Sequence, residues 1–267
     1  MTIVLAALDS SAAARPVLDT AIGLAAVTGA AAHAVHVREN ATTTPEALAA
    51  QRNIPFREVS GPVHEALLSE FRADDVIVGV LGARGTPTGR RPVGRTAMRV
   101  LADVAKPVAV VPPDAVRVST TAPRRLLVPL EGTAESSEPV AQQLVPLLVP
   151  GVELVVVHVF TTSTAPTMID HPDWGLEAWR SEFLARHCPE AAVIDLRTGS
   201  VGGRIIEAAA DAGAQLIVLS WSQDVSPGRA AVVRTILEHS TLPVLLLPGG
   251  HRPAEAPVEA DLSGRRR

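Results

Sequence analysis

The chain has 267 residues, 47% of them apolar and 19% charged, with a formal net charge of −4. That balance supports one or two domains with a real core. It argues against wholesale disorder, and against a general binder of nucleic acid or anionic membrane, which carries a basic excess. A single cysteine, Cys188, excludes an intrachain disulfide and a thiolate-rich zinc site.

No apolar run reaches the roughly 18 residues of a membrane-spanning helix. The opening MTIVLAALDS lacks the basic n-region of a signal peptide and carries Asp9 early. The expectation is a cytoplasmic protein of a reducing compartment. Lys106 is the only lysine, and no glycine loop precedes it. A P-loop nucleoside triphosphatase and a protein kinase, both of which need a lysine on the phosphates, are thereby excluded.

In chain order, the apolar run from Ile3 ends at Asp9 and reads as a buried strand. Ser10 or Ser11 is placed to cap a helix that runs to about Thr28 and stops at Gly29. Val17, Ile22 and Leu24, among many alanines, suit its packing on a sheet. Ala34–Val37 reads as a second buried strand, Val63–Phe71 as a helix and Asp75–Gly79 as a strand. A glycine- and arginine-rich loop leads into a helix predicted over Thr96–Ala105, and Val108–Val111 follows as a further strand.

The same order then recurs. Arg125–Leu130 is an apolar run ending in Glu131, and His158-Val159 follows 27 residues after that acid, as His36-Val37 follows 27 residues after Asp9. Gln215–Leu219 matches Asp75–Gly79, and Leu242–Pro248 matches Lys106–Pro112. Four landmarks in one order point to a duplication. Predicted boundaries are 1–118 and 124–249, separated by a Pro-, Ser- and Thr-rich stretch, with 250–267 reading as a disordered tail. Strands without polar alternation are covered on both faces, so each half is predicted as an α/β, doubly wound, Rossmann-like domain with a mainly parallel five-stranded sheet.

In such sheets the ligand crevice lies beyond the carboxyl ends of the strands. The residues there in the first half are Asp9, Ser10 and Ser11, then Val37, then Gly79 to Gly85 and on through Gly94, Arg95 and Thr96. Glycines let a backbone approach phosphates, and a helix N-terminus supplies free amides. Arg84, Arg90, Arg91, Arg95 and Arg99 add charge suited to phosphate oxygens. Asp9 is placed to accept from a ribose hydroxyl or an adenine amine. A solvated loop with surface arginines is the alternative.

With Asp9-Ser10-Ser11, His36-Val37, the glycine loop and Lys106-Pro107-Val108 in place, both halves resemble the universal stress protein family. The whole chain is similar to its tandem two-domain actinobacterial form, over about residues 2–249. The resemblance implies an adenine nucleotide alpha hydrolase-like fold and a regulatory role in the stress response. It also implies binding of ATP or another adenine nucleotide, with or without magnesium. Carried over, the nucleotide site is Asp9, Ser10, Ser11, Val37, Leu81, Gly82, Arg84, Gly85, Gly94, Arg95, Thr96 and Ala97. Nucleotide-binding members carry G-x-x-G, nine residues, then G-[S/T]. Here Gly82-Ala83-Arg84-Gly85 matches the first part and Thr96 the last, but Arg95 stands where a glycine belongs and eight residues separate Gly85 from Gly94. Arg95 either occupies the phosphate space or binds phosphate itself.

The second half departs further. Glu131-Gly132-Thr133 replaces the aspartate motif, and Ser220-Trp221-Ser222-Gln223 lacks the glycines. Trp221 is expected to fill the crevice, so this half is expected not to bind ATP. His158 to Val218 spans 60 residues against 42 from His36 to Val78. The insertion holds Asp170-His171-Pro172-Asp173-Trp174 and a helical stretch in which Trp179 and Phe183 are i,i+4 neighbours. It reads as a packed helix face, with a partner-binding lid as the sharper alternative. Asp170, His171 and Asp173 read as a loop before a metal cluster, and His187-Cys188 as a helix end before a nucleophile pair. His36 and His158, recurring at one strand position, read as packing residues. No GxSxG, HExxH or CxxC occurs, so catalytic residues and metal ligands are both read as none. A non-enzyme is the reading, with a weak ATPase and an interaction scaffold with decayed sites as alternatives.

The apolar fifth strands, Val108–Val111 and Val244–Leu247, would lie at sheet edges, which invite pairing. Family members are similar in dimerising through this strand, which implies an intrachain pseudo-dimer. A homodimer and an unknown protein partner are the further associations expected.

Overall fold

A computed structural model describes residues 1–11, 13–38, 45–84, 93–116, 120–161, 172–226 and 230–249, with backbone alone at 172–174. The first half runs β1 (Ile3–Ala7), α1 (Ala14–Thr28), β2 (Ala31–Arg38), α2 (Glu46–Gln51), β3 (Phe56–Ser60), α3 (Val63–Arg72), β4 (Val76–Gly82), α4 (Arg95–Asp103), β5 (Val108–Val111). The second runs β6 (Arg125–Pro129), α5 (Ala134–Pro139), β7 (Glu153–Phe160), α6 (Pro172–His187), β8 (Val193–Thr198), α7 (Val201–Asp211), β9 (Leu216–Trp221), α8 (Ala231–His239), β10 (Val244–Pro248). A π-helical turn, Val140–Leu144, continues α5 past Pro139.

All ten strands form one sheet in the order β3-β2-β1-β4-β5-β10-β9-β6-β7-β8. Every neighbour is parallel except β5 and β10, which run antiparallel. The two apolar fifth strands therefore cover each other's edges, as their composition demands. Alternate residues serve opposite faces. Val4, Ala6, Val78 and Val80 pack with Val17, Leu18 and Leu24 of α1, and Phe183 of α6 joins the same cluster. Leu5, Val108 and Val110 pack with Phe71, Val100, Ile205 and Ile236 from α3, α4, α7 and α8.

Local chemistry sets the ends of the elements. Asp9 Oδ1 accepts from the Ser11 amide at 3.0 Å and its hydroxyl at 2.7 Å, closing a turn that holds both serines outside the helix. Consequently α1 starts at Ala14 with Ala13 at its N-cap, later than a Ser10 or Ser11 cap would put it. Ser11 Oγ still accepts from the Ala13 amide, 3.1 Å away. Gly29 ends α1 at φ 65°, the left-handed conformation that glycine takes without strain. The last carbonyls of α3 and α7 find different donors. Lys106 Nζ donates to the carbonyls of Ala73 (2.6 Å) and Val76 (2.8 Å), whereas Arg125 Nη1 donates to that of Ala212 (2.7 Å).

The ladders also correct the alignment of the halves. Leu5 pairs with Gly79 and Leu127 with Ile217, so Gly79 corresponds to Ile217, not to Leu219. The β1–β4 register shifts between Ile3 and Val4, a bulge that an uninterrupted apolar run conceals. Gly82 thus corresponds to Ser220 and Ala83 to Trp221. From the paired positions to the following proline, Gly79 to Pro107 spans 28 residues and Ile217 to Pro243 spans 26, so the second loop is shorter by two.

Candidate functional site

A cleft of about 430 Å³ opens at the carboxyl ends of β1, β2 and β4. Asp9 and Ser10 leave β1 beside it. His36 and Val37 close β2, and Leu81, Gly82, Ala83 and Arg84 leave β4. Gly94, Arg95, Thr96 and Ala97 bring in the start of α4. Of the twelve residues read as a nucleotide site, ten line this one space. Ser11 stands behind it and orients the Asp9 carboxylate. Gly85 lies outside the described residues, as do Arg90 and Arg91.

No side chain caps α4. The amides of Arg95, Thr96 and Ala97 are the donors that a helix start leaves without an intrahelical partner, at the positive end of its dipole. The Gly94 amide donates to Ala83 O at 2.8 Å and ties the helix start to the end of β4. A Cβ on Gly94 would meet that carbonyl oxygen at 3.3 Å, so the tie favours glycine. Gly82 is less constrained: a Cβ there would sit 3.6 Å from Val17, ordinary contact. Arg84 is half-buried, and Arg95 is exposed on the first residue of α4. The cleft thus combines apolar walls of Val37, Leu67, Leu81 and Val100 with one carboxylate, two arginines and the amides of a helix start.

Nine further residues line the cleft outside the predicted site, among them Val63 and Leu67 of α3, whose helix was predicted. His36 was read as packing, and it is buried, with Nδ1 donating to Leu8 O at 2.8 Å. His158 does the same to Leu130 O at the same distance. A carbonyl only accepts, so both rings carry their proton on Nδ1. Each histidine ties the end of its half's first strand to the second.

The corresponding region of the second half is built differently. Trp221, at the register position of Ala83, is 7% exposed and belongs to one apolar cluster with Val233, the counterpart of Ala97. On the other side α6 lies over the β6–α5 turn. Gly132 has φ 81°, and a Cβ there would meet the Phe183 ring at 3.0 Å. The His158 ring lies 4.6 Å from Phe160, 5.1 Å from Phe183 and 5.4 Å from Trp179. Trp179 and Phe183 stack at 4.8 Å, so the i,i+4 pair forms a packed helix face. A shallower space of about 340 Å³ remains beside Glu131, Trp179, Glu182 and Arg186.

Cys188 follows the end of α6 and is buried, which pushes its thiol from the ordinary 9.0 up to about 11. A protonated thiol under cover is no nucleophile. Burial, then the charges of Arg186 and His158, lowers the His187 pKa. Among the described residues no cluster of histidine, cysteine and carboxylate could hold a metal ion. Asp170 and His171 lie outside those residues, and so does the Asp173 side chain. No helix among the described residues is long and apolar enough to cross a membrane.

A mainly parallel α/β sheet with a cleft at its strand ends defines the class. The universal stress protein family model matches residues 123–248, the second half of the chain. No curated protein sequence matches the chain significantly. A universal stress protein from Archaeoglobus fulgidus DSM 4304 superposes with a TM-score of 0.63 at 15% identity, covering 93% of this chain and 98% of that one. A functionally unknown protein from Pseudomonas aeruginosa PAO1 gives 0.62 at 13% identity, with 93% of both chains covered. At these identities the likeness is one of fold. A universal stress protein solved in complex with cAMP gives 0.37 at 18% identity, over 48% of this chain and 99% of that one.

Proposed function

We propose that this chain is a cytoplasmic regulatory protein of the stress response that binds one adenine nucleotide, ATP or a close relative, in its first half. The observation that carries the reading is the cleft itself, which brings Asp9, Arg84, Arg95 and the start of α4 to one space. Its volume, about 430 Å³, lies in the range of small-molecule sites. Asp9 would accept from the ribose or the base, Val37 and Leu81 would flank the ring, and Gly82, Gly94, Thr96 and Ala97 would face the phosphates. Arg95 would bind phosphate.

Among the described residues Asp9 is the one carboxylate that lines the cleft, and its Oδ1 already accepts from Ser11. A magnesium ion arriving with the nucleotide would therefore rest on phosphate oxygens and water. The phosphate end offers no general base among the described residues, which supports regulation over turnover. The second half is read as carrying no nucleotide, since Trp221 stands in register with Ala83 and the Phe183 ring lies against Gly132, and the space left beside Glu131 is shallower. The two halves are read as a tandem duplication with boundaries at 1–118 and 124–249.

The test is mass spectrometry of small molecules released from gently purified protein, followed by calorimetric titration with ATP, ADP, AMP and cAMP. One adenine nucleotide per chain is expected, with affinity rising with phosphate number if Arg95 binds phosphate. Asp9→Ala and Gly82→Val should each abolish binding; retained affinity in both sinks the assignment. Absence of any heat at millimolar nucleotide would leave an interaction scaffold as the reading. Phosphate release that tracks the protein through purification and vanishes in Asp9→Ala would make it a weak ATPase.

A further inference from the structure

Gln223 belongs to the loop after β9, yet its side chain ends on the first half. Its Nε2 donates to the carbonyls of Leu101 at 2.9 Å and Val104 at 2.8 Å, with Ala102 O at 3.4 Å. These carbonyls close the C-terminal end of α4, which has no basic residue in its last turn. Helix ends leave such carbonyls without intrahelical partners, and an external donor satisfies them. Carbonyls only accept, so the amide nitrogen of Gln223 must be the atom that faces them. Arg72 Nη2 takes the remaining carbonyl of the turn, that of Asp103, at 2.8 Å.

The backbone marks the same residue. Gln223 has φ 60°, a conformation that side chains other than glycine, asparagine and aspartate rarely take. By the β4–β9 register its counterpart in the first half is Gly85, a residue suited to that conformation and with no side chain to extend. The second half thus keeps an amide-bearing side chain where a glycine would be relaxed.

The helix it holds is the one that begins at the cleft. α4 has nine residues, so about 13 Å separates the Gln223 contact from Arg95, Thr96 and Ala97 at the other end of a rigid rod. We infer that Gln223 is a positioning residue through which the second half sets α4 and hence the phosphate end of the first-half cleft. The inference rests on the nucleotide reading above. It gives the half without a nucleotide a role in the affinity of the other half, because any partner or displacement that moves the Ser222–Ser226 loop moves α4 with it.

The test uses the full chain with Gln223→Gly. This variant removes the amide and relaxes the backbone at φ 60°, so strain at that residue does not contribute to a loss. Hydrogen exchange is followed at α4 and, as an internal control, at α8, without nucleotide. Two hydrogen bonds of ordinary net strength correspond to roughly tenfold faster exchange at Met98–Val104, with α8 unchanged. ATP affinity, measured well below the unfolding temperature, should fall about three- to tenfold, and Gln223→Glu, whose carboxylate repels the same carbonyls, should do at least as much. Wild-type exchange at α4 in Gln223→Gly overturns the clasp. Faster exchange with undiminished affinity overturns the coupling to the cleft. A wild-type chain that binds no nucleotide overturns the nucleotide reading and the coupling together, while the exchange data still judge the clasp by themselves.

Discussion

Ala109 and Leu245 face each other across the β5–β10 ladder, and they are the same position of the two halves. Val108 and Val244 open the two fifth strands, each following a proline, so each residue of β5 corresponds to the one 136 later. A residue that pairs with its own counterpart lies on a local two-fold axis relating the two fifth strands. Both side chains are on the α1 face and buried, at 0% and 3% exposed. The axis thus sets one small residue against one large one, a combination that a symmetric pair could not make.

That asymmetry predicts a double-mutant cycle. Leu245→Ala leaves a cavity and should cost about 2–5 kcal/mol. Ala109→Leu crowds Leu245 and should cost about 1–3 kcal/mol. The combined variant exchanges the two sizes across the axis and should recover part of the sum, measured by urea unfolding as a coupling of about 0.5–3 kcal/mol. Additive losses would mean that the two side chains do not share one space.

What was legible in the sequence were features whose cause is local. Apolar runs such as Val108–Val111 announced buried strands, and Gly29 announced the end of α1. The pairing of the fifth strands followed from edges that composition left uncovered. The cleft residues were legible through spacing from Asp9, since strand ends collect in one place. Phase was not legible: a run of valines looks the same when shifted by two, so the β4 bulge hid the true match of Gly79 to Ile217. The six residues of α2 carry no helical period to read. Gln223 was silent because its partners lie 119 to 122 residues away, and no local pattern encodes a clasp over that distance.

Gly79 lies mid-strand in β4, beside the glycines of the cleft, but its constraint is packing. A Cβ there would come within 2.8 Å of the Phe71 ring, which is fully buried on α3. Gly79→Ala should therefore destabilise the fold by about 1–3 kcal/mol through overpacking. Nucleotide affinity in the surviving folded fraction should be unchanged. Phe71→Leu in the Gly79→Ala background should restore part of the stability, as read by thermal unfolding.

Lys106 is the only lysine, and it serves α3. Its ammonium reaches the Ala73 and Val76 carbonyls and, at 3.3 Å, that of Arg72. Charge-assisted bonds of this kind contribute about 1.5–3 kcal/mol when sheltered, and partial exposure reduces that. Lys106→Met keeps the aliphatic stem and removes the donors, so the expected loss is about 1–2 kcal/mol in chemical denaturation. Hydrogen exchange should rise first at the end of α3 and the start of β4. An unchanged midpoint would show water to be an equal substitute.

Adjacent residues at the end of α6 set opposite limbs of the pH profile. His187 has its pKa lowered by burial and by Arg186 and His158, so the folded chain resists a proton that the unfolded chain accepts. Its contribution is present above the ordinary histidine value near 6.5 and is lost as pH falls below it. Cys188 is shifted the other way. Its thiol ionises in the unfolded chain near 9.0 and in the folded chain only at about 11, so its contribution is present below 9.0 and is lost as pH rises between these values. His187→Gln should flatten the acid limb of stability against pH and leave the alkaline limb, and Cys188→Ala should do the reverse. The folded thiol should also stay inert to a disulfide reagent at neutral pH until denaturant exposes it. Rapid labelling of the native chain would mean that α6 opens over Cys188 and that its packing on Phe160 and His158 is a minor conformation.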